Sequence, residues 1–268
     1  MSFECLEITQ DARGVAYVRL NIPRKRNALS SQAITELTEM ATSLGAALET
    51  RAIVLSGAGD VFCAGADLTW MKAQVEANRE TRVAEARRLA EMLGALNEMP
   101  TPLIGRIQGG AFGGGVGLAS VCDIVIAEDG AVFSLSETRL GLIPATISPY
   151  VMARIGEGCA RQIFMSARRF DAVEAQRLGL VARVAAGGDL DTAVEAEVAP
   201  YLSVAPGAVG AAKALARALG PRIDDEVVED TVQRLADIWE TEEARHGIAA
   251  FLEKTPPRWM QSAIGSKG

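Results

Sequence analysis

The sequence predicts an α/β core followed by a helical C-terminal part, and three observations carry that expectation. The apolar runs Ala52 to Leu55, Leu103 to Ile107 and Ile124 to Ala127 read as strands buried on both faces. Helical periodicity or glycine-rich sequence separates them, the order expected of parallel strands joined by right-handed crossovers. From Pro149 onward the pattern is almost entirely helical, with breaks near Gly156, Gly187, Pro206 and Gly220. This divides the chain into a core over 1–184 and a helical region over 185–268, with no low-complexity linker and no internal repeat.

Taken in order, Leu6 to Thr9 and Val15 to Leu20 alternate on either side of a turn through Asp11 to Gly14, which predicts a hairpin. The basic loop Arg24-Lys25-Arg26 follows. Ser30 suits a helix N-cap, because its hydroxyl can accept an N–H of the first turn. The predicted helix carries Ile34, Leu37, Ala41, Leu44 and Leu48 on one face to near Glu49, with Leu29 stapled onto Ile34. The strand Ala52 to Leu55 ends in the turn Gly57 to Asp60 and delivers the chain to Cys63-Ala64-Gly65-Ala66-Asp67-Leu68. A second amphipathic helix turns Val83, Ala86, Ala90 and Leu93 inward and stops at Pro100-Thr101-Pro102. Leu103 to Ile107 then feeds the loop Gly109 to Gly117, and a short apolar helix starting near Gly114 runs through Val121.

Composition narrows the function. The 268 residues are 49% hydrophobic, enough for a substantial core, and the formal charge of -7 gives no long-range attraction to nucleic acid or anionic membranes. Any anionic ligand must meet a local basic patch. No apolar run approaches the roughly 20 residues that span a bilayer, and Met1 opens no signal segment, so a soluble cytoplasmic protein is expected. Cys5, Cys63, Cys122 and Cys159 are scattered and read as reduced, buried core thiols. His246 is the only histidine, which excludes a zinc site with several histidines and disfavours a Ser-His-Asp triad, so no metal is expected. Chemistry has to come from carboxylates and backbone.

Two glycine-rich loops, each directly after a buried strand, suit anion or oxyanion binding, because glycine lets backbone N–H groups approach a ligand closely. Tight turns and close helix packing are the bland alternative for either loop alone. Neither is a nucleotide fingerprint: the first, Gly57-x-Gly59-x-x-Phe62, lacks the third glycine, and the second lacks a Gly-Lys-Ser/Thr ending.

Four motifs carry a resemblance. NALS (Asn27 to Ser30), FCAGADL (Phe62 to Leu68), GGAFGGGVGLASVCDIVIA (Gly109 to Ala127) and FSLSETRLGLIP (Phe133 to Pro144) stand in an order and spacing that resemble the crotonase (enoyl-CoA hydratase/isomerase) superfamily. The region Arg168 to Val181 fits as well. The likeness covers nearly the whole chain. It implies a crotonase-like spiral of β-β-α units, a helical C-terminal trimerisation region, and a homotrimer or a hexamer built as a dimer of trimers.

The resemblance also implies roles. It assigns an oxyanion hole to the backbone N–H groups of Ala66 and Gly114, where negative charge develops on a thioester oxygen. It makes Glu137 the general acid/base. It lines the CoA groove with Ala28, Ala64, Asp67 and Leu68, and Asp67 is expected to order its loop rather than transfer protons. Arg24, Lys25 and Arg26 offer a counter-charge for the CoA phosphates, with an ordinary solvated loop as the alternative. Trp70, Met71 and Phe112 suit either the acyl chain or the core. No cofactor is implied beyond the coenzyme A of the substrate itself.

Hydratases of this family hold water between two glutamates, and the position of the other one is Gly117 here. A cavity is expected in its place. Ala145 stands where related dienoyl-CoA isomerases and aryl-CoA dehalogenases carry an aspartate, which disfavours both. In GGGVGLASVCD, SETRLGLIPATISPYV and FLEKTPPRW the sequence looks most like bacterial 3-methylglutaconyl-CoA and isohexenylglutaconyl-CoA hydratases. The expected activity is hydration of a branched, carboxylated enoyl-CoA. Double-bond migration by a single glutamate is the alternative, with an acyl-CoA hydrolase or a non-catalytic RNA-binding or assembly protein behind it.

Overall fold

The computed structural model describes residues 3–260. The chain opens with the hairpin β1 (Leu6–Gln10) and β2 (Val15–Leu20), then α1 (Ser31–Ser43), β3 (Ala52–Gly57), α2 (Leu68–Glu76) and α3 (Arg79–Glu98). Next come β4 (Leu103–Ile107), β5 (Gly110–Phe112), α4 (Gly114–Val121), β6 (Ile124–Glu128), β7 (Val132–Ser134) and a 3-10 turn at Glu137–Leu140. The chain continues through α5 (Ser148–Phe164), β8 (Phe170–Asp171), α6 (Ala172–Arg177), β9 (Arg183–Ala185), α7 (Leu190–Val198) and α8 (Pro206–Leu219). It finishes with α9 (Asp225–Trp239) and α10 (Glu242–Glu253).

Six strands form one sheet in the order β1-β2-β3-β4-β6-β9, parallel except for the opening hairpin. Alternation along β3 explains its continuous apolar run. Ile53 and Leu55 face the main core with Leu37, Leu93 and Leu103, whereas Ala52 and Val54 face a second cluster closed by Leu190, Val194 and Val198 of α7. A smaller sheet, β5-β7-β8, is extended by isolated bridges between Cys63 and Ala111 and between Leu29 and Ala66. Each turn of the chain therefore places a long strand in the first sheet, a short segment in the second, and then a helix. This is the spiral of β-β-α units.

The C-terminal helices fold back on this spiral. Val232 of α9 packs with Ala86 and Ala90 of α3, beside ion pairs Arg79–Asp237, Arg82–Glu240 and Arg87–Glu229. The Arg82 guanidinium also lies 5.4 Å over the Trp239 ring. Helix α10 covers the Glu137–Leu140 turn: Ala244 and Ile248 join Leu140, Leu142 and Trp239 in one apolar cluster.

Several local expectations change. Ser30 does cap α1, accepting from the Ala33 N–H, but the helix ends at Ser43 and tightens into a 3-10 turn over Leu44–Ala46. Gly45 in that turn packs closely, since a Cβ there would meet Met99 at 2.7 Å. Leu48 consequently lies outside the helix and is 80% exposed. The stretch after Pro149 is not wholly helical, since β8 and β9 lie within it. The break at Gly156 is present, with φ +73 inside α5. Cys5, Cys63 and Cys122 are buried free thiols, and burial pushes Cys63 and Cys122 up to about 12, whereas Cys159 is only half-buried.

Candidate active site

The Ala66 and Gly114 backbones reach one place because they follow the short second strands of consecutive turns of the spiral. Leu29 donates its N–H to Gly65 O at 2.7 Å and accepts from Asp67 N at 3.0 Å. Bonding on both sides of Ala66 in this parallel pattern turns the N–H of Ala66 away from Leu29. Gly114 opens α4, so its N–H belongs to the first turn, which has no partner inside the helix. Among the described residues no protein acceptor takes either N–H. The approach is close: a Cβ on Gly65, whose φ is +90, would lie 2.8 Å from Phe112 O and 3.7 Å from Gly114 N.

Glu137 lies at the other side of the α4 start. It begins the 3-10 turn, and its Oε1 is 3.0 Å from where a Cβ on Gly113 would be. Gly113 has φ +49 and ψ -113, so both conformation and the carboxyl require glycine there. The Glu137 Oε2 is buried without a hydrogen-bond partner. Desolvation pushes its pKa up to about 7, against an ordinary value near 4.5. A carboxyl at this pKa both takes and gives a proton at neutral pH.

The groove residues behave differently from one another. Asp67 is the N-cap of α2, accepting from Thr69 N at 2.8 Å and Trp70 N at 3.1 Å, and it pairs with Lys25 at 2.8 Å. Burial works against this carboxylate, but Lys25 and the two N–H donors hold its pKa below the usual range. Lys25 is thus neutralised by Asp67, which leaves Arg24 and Arg26 as the exposed cations of the basic run. Ala28 is buried, Ala64 donates its N–H to Arg26 O at 3.0 Å, and Leu68 is exposed. Met71 is buried and Trp70 is half-buried, its indole N–H donating to Glu85 at 2.8 Å. The half-buried Phe112 ring lies against its own strand, 2.7 Å from the Cβ position of Gly110.

No cavity replaces the second glutamate. A Cβ on Gly117 would meet Ile147 Cγ2 at 2.6 Å and Leu93 Cδ2 at 3.7 Å, so apolar side chains fill that place. Ile147 lies in the loop just before α5 and is invisible as a neighbour of Gly117 in sequence. Gly117 therefore serves close packing of α4 and offers no space for a ligand.

Sequence reasoning missed four contributors. Gly113 seats Glu137, and Leu29 orients Ala66 while limiting Gly114, where a Cβ would meet Leu29 Cδ1 at 2.9 Å. Ile147 closes the side of Gly117. Asn27, buried with φ +54, accepts from Ile22 N and donates to Ala58 O and Val61 O, tying three loops together. Its place in NALS was the available signal. A cavity of about 960 Å³ lies at the opposite end of α4 among Ser120, Cys122, Arg154 and Lys213. Lys213 there is paired with Asp123 at 2.7 Å.

Comparison with known proteins shows the family of the chain. The enoyl-CoA hydratase/isomerase family matches residues 10–262. An enoyl-CoA hydratase structure from Shewanella pealeana is 36% identical, with a TM-score of 0.78, over 96% of both chains. One from Mycobacterium avium is 30% identical, with a TM-score of 0.83, covering 95% of this chain and 98% of that one. AtuE of Pseudomonas aeruginosa is 35% identical, with a TM-score of 0.79, over 96% and 99%.

Proposed function

Because the chain belongs to the enoyl-CoA hydratase/isomerase family, we propose that it adds water across the 2,3 double bond of a branched, carboxylated enoyl-CoA of the glutaconyl type. The observation that carries the chemistry is Glu137: a buried carboxyl with pKa near 7 beside the free N–H of Gly114. The thioester oxygen lies between the N–H groups of Ala66 and Gly114. Glu137 takes a proton from water as the hydroxyl adds to C3, and the electron pair moves onto the thioester oxygen as an enolate. The two donors stabilise that charge, and losing one costs about 3–4 kcal/mol of barrier. Glu137 then returns its proton to C2.

The apolar filling at Gly117 supports a second reading, double-bond migration, in which Glu137 removes a proton from C2 of a 3-enoyl thioester and delivers it to C4. Both use the same enolate. Incubation with crotonyl-CoA, 3-methylglutaconyl-CoA and a 3-enoyl-CoA, reading hydration, migration and free thiol separately, decides between them. Hydration of the glutaconyl ester with the highest kcat/KM is expected. Migration without water uptake overturns the hydratase in favour of the isomerase, and release of thiol overturns both. We further infer a homotrimer or a dimer of trimers, for which Leu215 and Leu219, 61% and 81% exposed one turn apart on α8, supply apolar surface. Light scattering tests it.

A further inference from the structure

The glycines that open α4 each lie against a different neighbour. Gly113 faces the Glu137 carboxyl, a Cβ on Gly114 would meet Leu29 Cδ1 at 2.9 Å, and one on Gly115 would meet Cys63 O at 2.6 Å. Two of these contacts have an evident purpose. Gly113 makes room for Glu137, and Cys63 ties the helix start to the strand before it, because Phe112 donates its N–H to Cys63 O at 3.0 Å. The Leu29 contact differs, since the same residue also holds Ala66. Its backbone bonds Gly65 O at 2.7 Å and Asp67 N at 3.0 Å, on either side of Ala66, while its side chain occupies the place that a Cβ of Gly114 would take.

Leu29 is itself held in place. It is 3% exposed and belongs to the main core. Two residues earlier, the buried Asn27 donates to Ala58 O at 2.8 Å and Val61 O at 2.7 Å, and Ala64 donates its N–H to Arg26 O at 3.0 Å. Packed interiors yield little, so a side chain fixed in this way passes its own position on to whatever it touches. The relative placement of the Ala66 and Gly114 backbones therefore depends on the length and shape of one side chain. An oxyanion gains from two N–H groups only when both stand about 2.7–3.1 Å from the one oxygen. Displacing either by about 1 Å forfeits much of the benefit.

We propose that Leu29 is the positioning residue of the oxyanion pair: its backbone aims the Ala66 N–H, and its side chain sets the distance to the Gly114 N–H. This rests on the reading of the chain as an acyl-CoA enzyme with those two donors at the thioester oxygen. It holds for hydration and for migration alike, since both pass through the same enolate. Leu29 acts through the two backbones and exchanges nothing with the substrate. The absence of a side chain at Gly114 follows as well, because Leu29 already fills that place.

The test compares Leu29→Ala, Leu29→Met and Leu37→Ala with wild type, by turnover and by the infrared carbonyl band of bound butyryl-CoA carrying a heavy isotope at the thioester carbon. Hydrogen bonds to that oxygen lower its stretching frequency, so the band reports the donors and not the fold. Leu37 is an equally buried leucine of the same core, on α1. Leu29→Ala is expected to lower kcat by about tenfold to a hundredfold, to keep butyryl-CoA affinity within a few-fold, and to lose much of the band shift. Leu29→Met, of similar volume, should restore most of both. Leu37→Ala should lower the unfolding temperature by a similar amount yet keep kcat and the band. Leu29→Val, shorter but still apolar, carries the test if the alanine variant fails to fold. A band shift and kcat that survive in the shortened variant overturn the role of Leu29 alone, as does an equal loss of both in Leu37→Ala. A wild type without any band shift overturns the donor pair itself and Leu29 with it, so the wild-type spectrum tells the two failures apart.

Discussion

The two helices that follow Asp67 and Gly113 start in opposite ways. Helix α2 is closed by a side chain: the Asp67 carboxylate takes two of its first N–H groups and pairs with Lys25. Helix α4 is open, for its N-cap is Gly113 and no side chain accepts from its first turn. An anion arriving from outside finds unsatisfied donors and the positive end of a dipole only at α4. Ala66, just before the closed helix, keeps its N–H free by strand pairing with Leu29 instead. One helix start is closed by its own side chain, whereas the other is left without one.

Breaking the open side should cost most. Glu137→Gln, which keeps shape but cannot exchange a proton, is expected to lower kcat by roughly 10²–10⁴ while acyl-CoA affinity survives; near-native turnover would remove Glu137 from the mechanism. Gly114→Val meets Leu29, 2.9 Å from the Cβ position, and displaces the donor, so a loss of about 10²–10³ in kcat is expected in a variant that still folds. The same helix one turn on answers with stability. Gly117→Glu collides with Ile147 and should lower stability by about 1–3 kcal/mol, and adding Ile147→Gly should recover much of it in thermal unfolding. On the closed side Asp67→Ala removes a cap, worth about 1 kcal/mol. Its kcat should fall far less than that of Glu137→Gln, and an equal fall would reverse the contrast drawn between the two helices.

Titration sharpens the comparison further. The carboxyl of Glu137 is raised from near 4.5 to about 7, so folding takes up a proton there between those values. Its contribution to stability is complete below about 4.5 and is lost as pH rises through about 7, a difference of about 3 kcal/mol. Unfolding measured from pH 4 to 8 should show this decline in wild type and lose it in Glu137→Gln. In the proposed mechanism the base works as carboxylate, so kcat/KM should rise through the same midpoint.

Asp67 has the opposite sign, so two sequence motifs carry two kinds of acid. FCAGADL and SETRLG each announce a carboxylate, and the family resemblance separates their roles, but their electrostatics come from distant partners. Lys25 reaches Asp67 across a loop, and burial in the folded chain desolvates Glu137. The long strands were legible because both faces of β3, β4 and β6 are apolar. The strands β5, β7 and β8 span two or three residues each, too few for any periodicity to register. Helix α2 escaped because its inner face holds only Met71 and Gln74, and a buried glutamine reads as surface. Ile147 gave no sign of filling the place beside Gly117, since packing between segments 30 positions apart leaves no pattern in sequence.

The covering of Glu137 by α10 has a consequence in time. A ribosome releases the chain N-terminus first, at roughly 5–20 residues per second, so the oxyanion loops and Glu137 emerge well before Ala244 and Ile248. Until α10 docks against Leu140 and Leu142, the turn that carries Glu137 lacks its apolar cover. The growing chain thus carries Ala66, Gly114 and Glu137 well before the helix that covers the Glu137 turn.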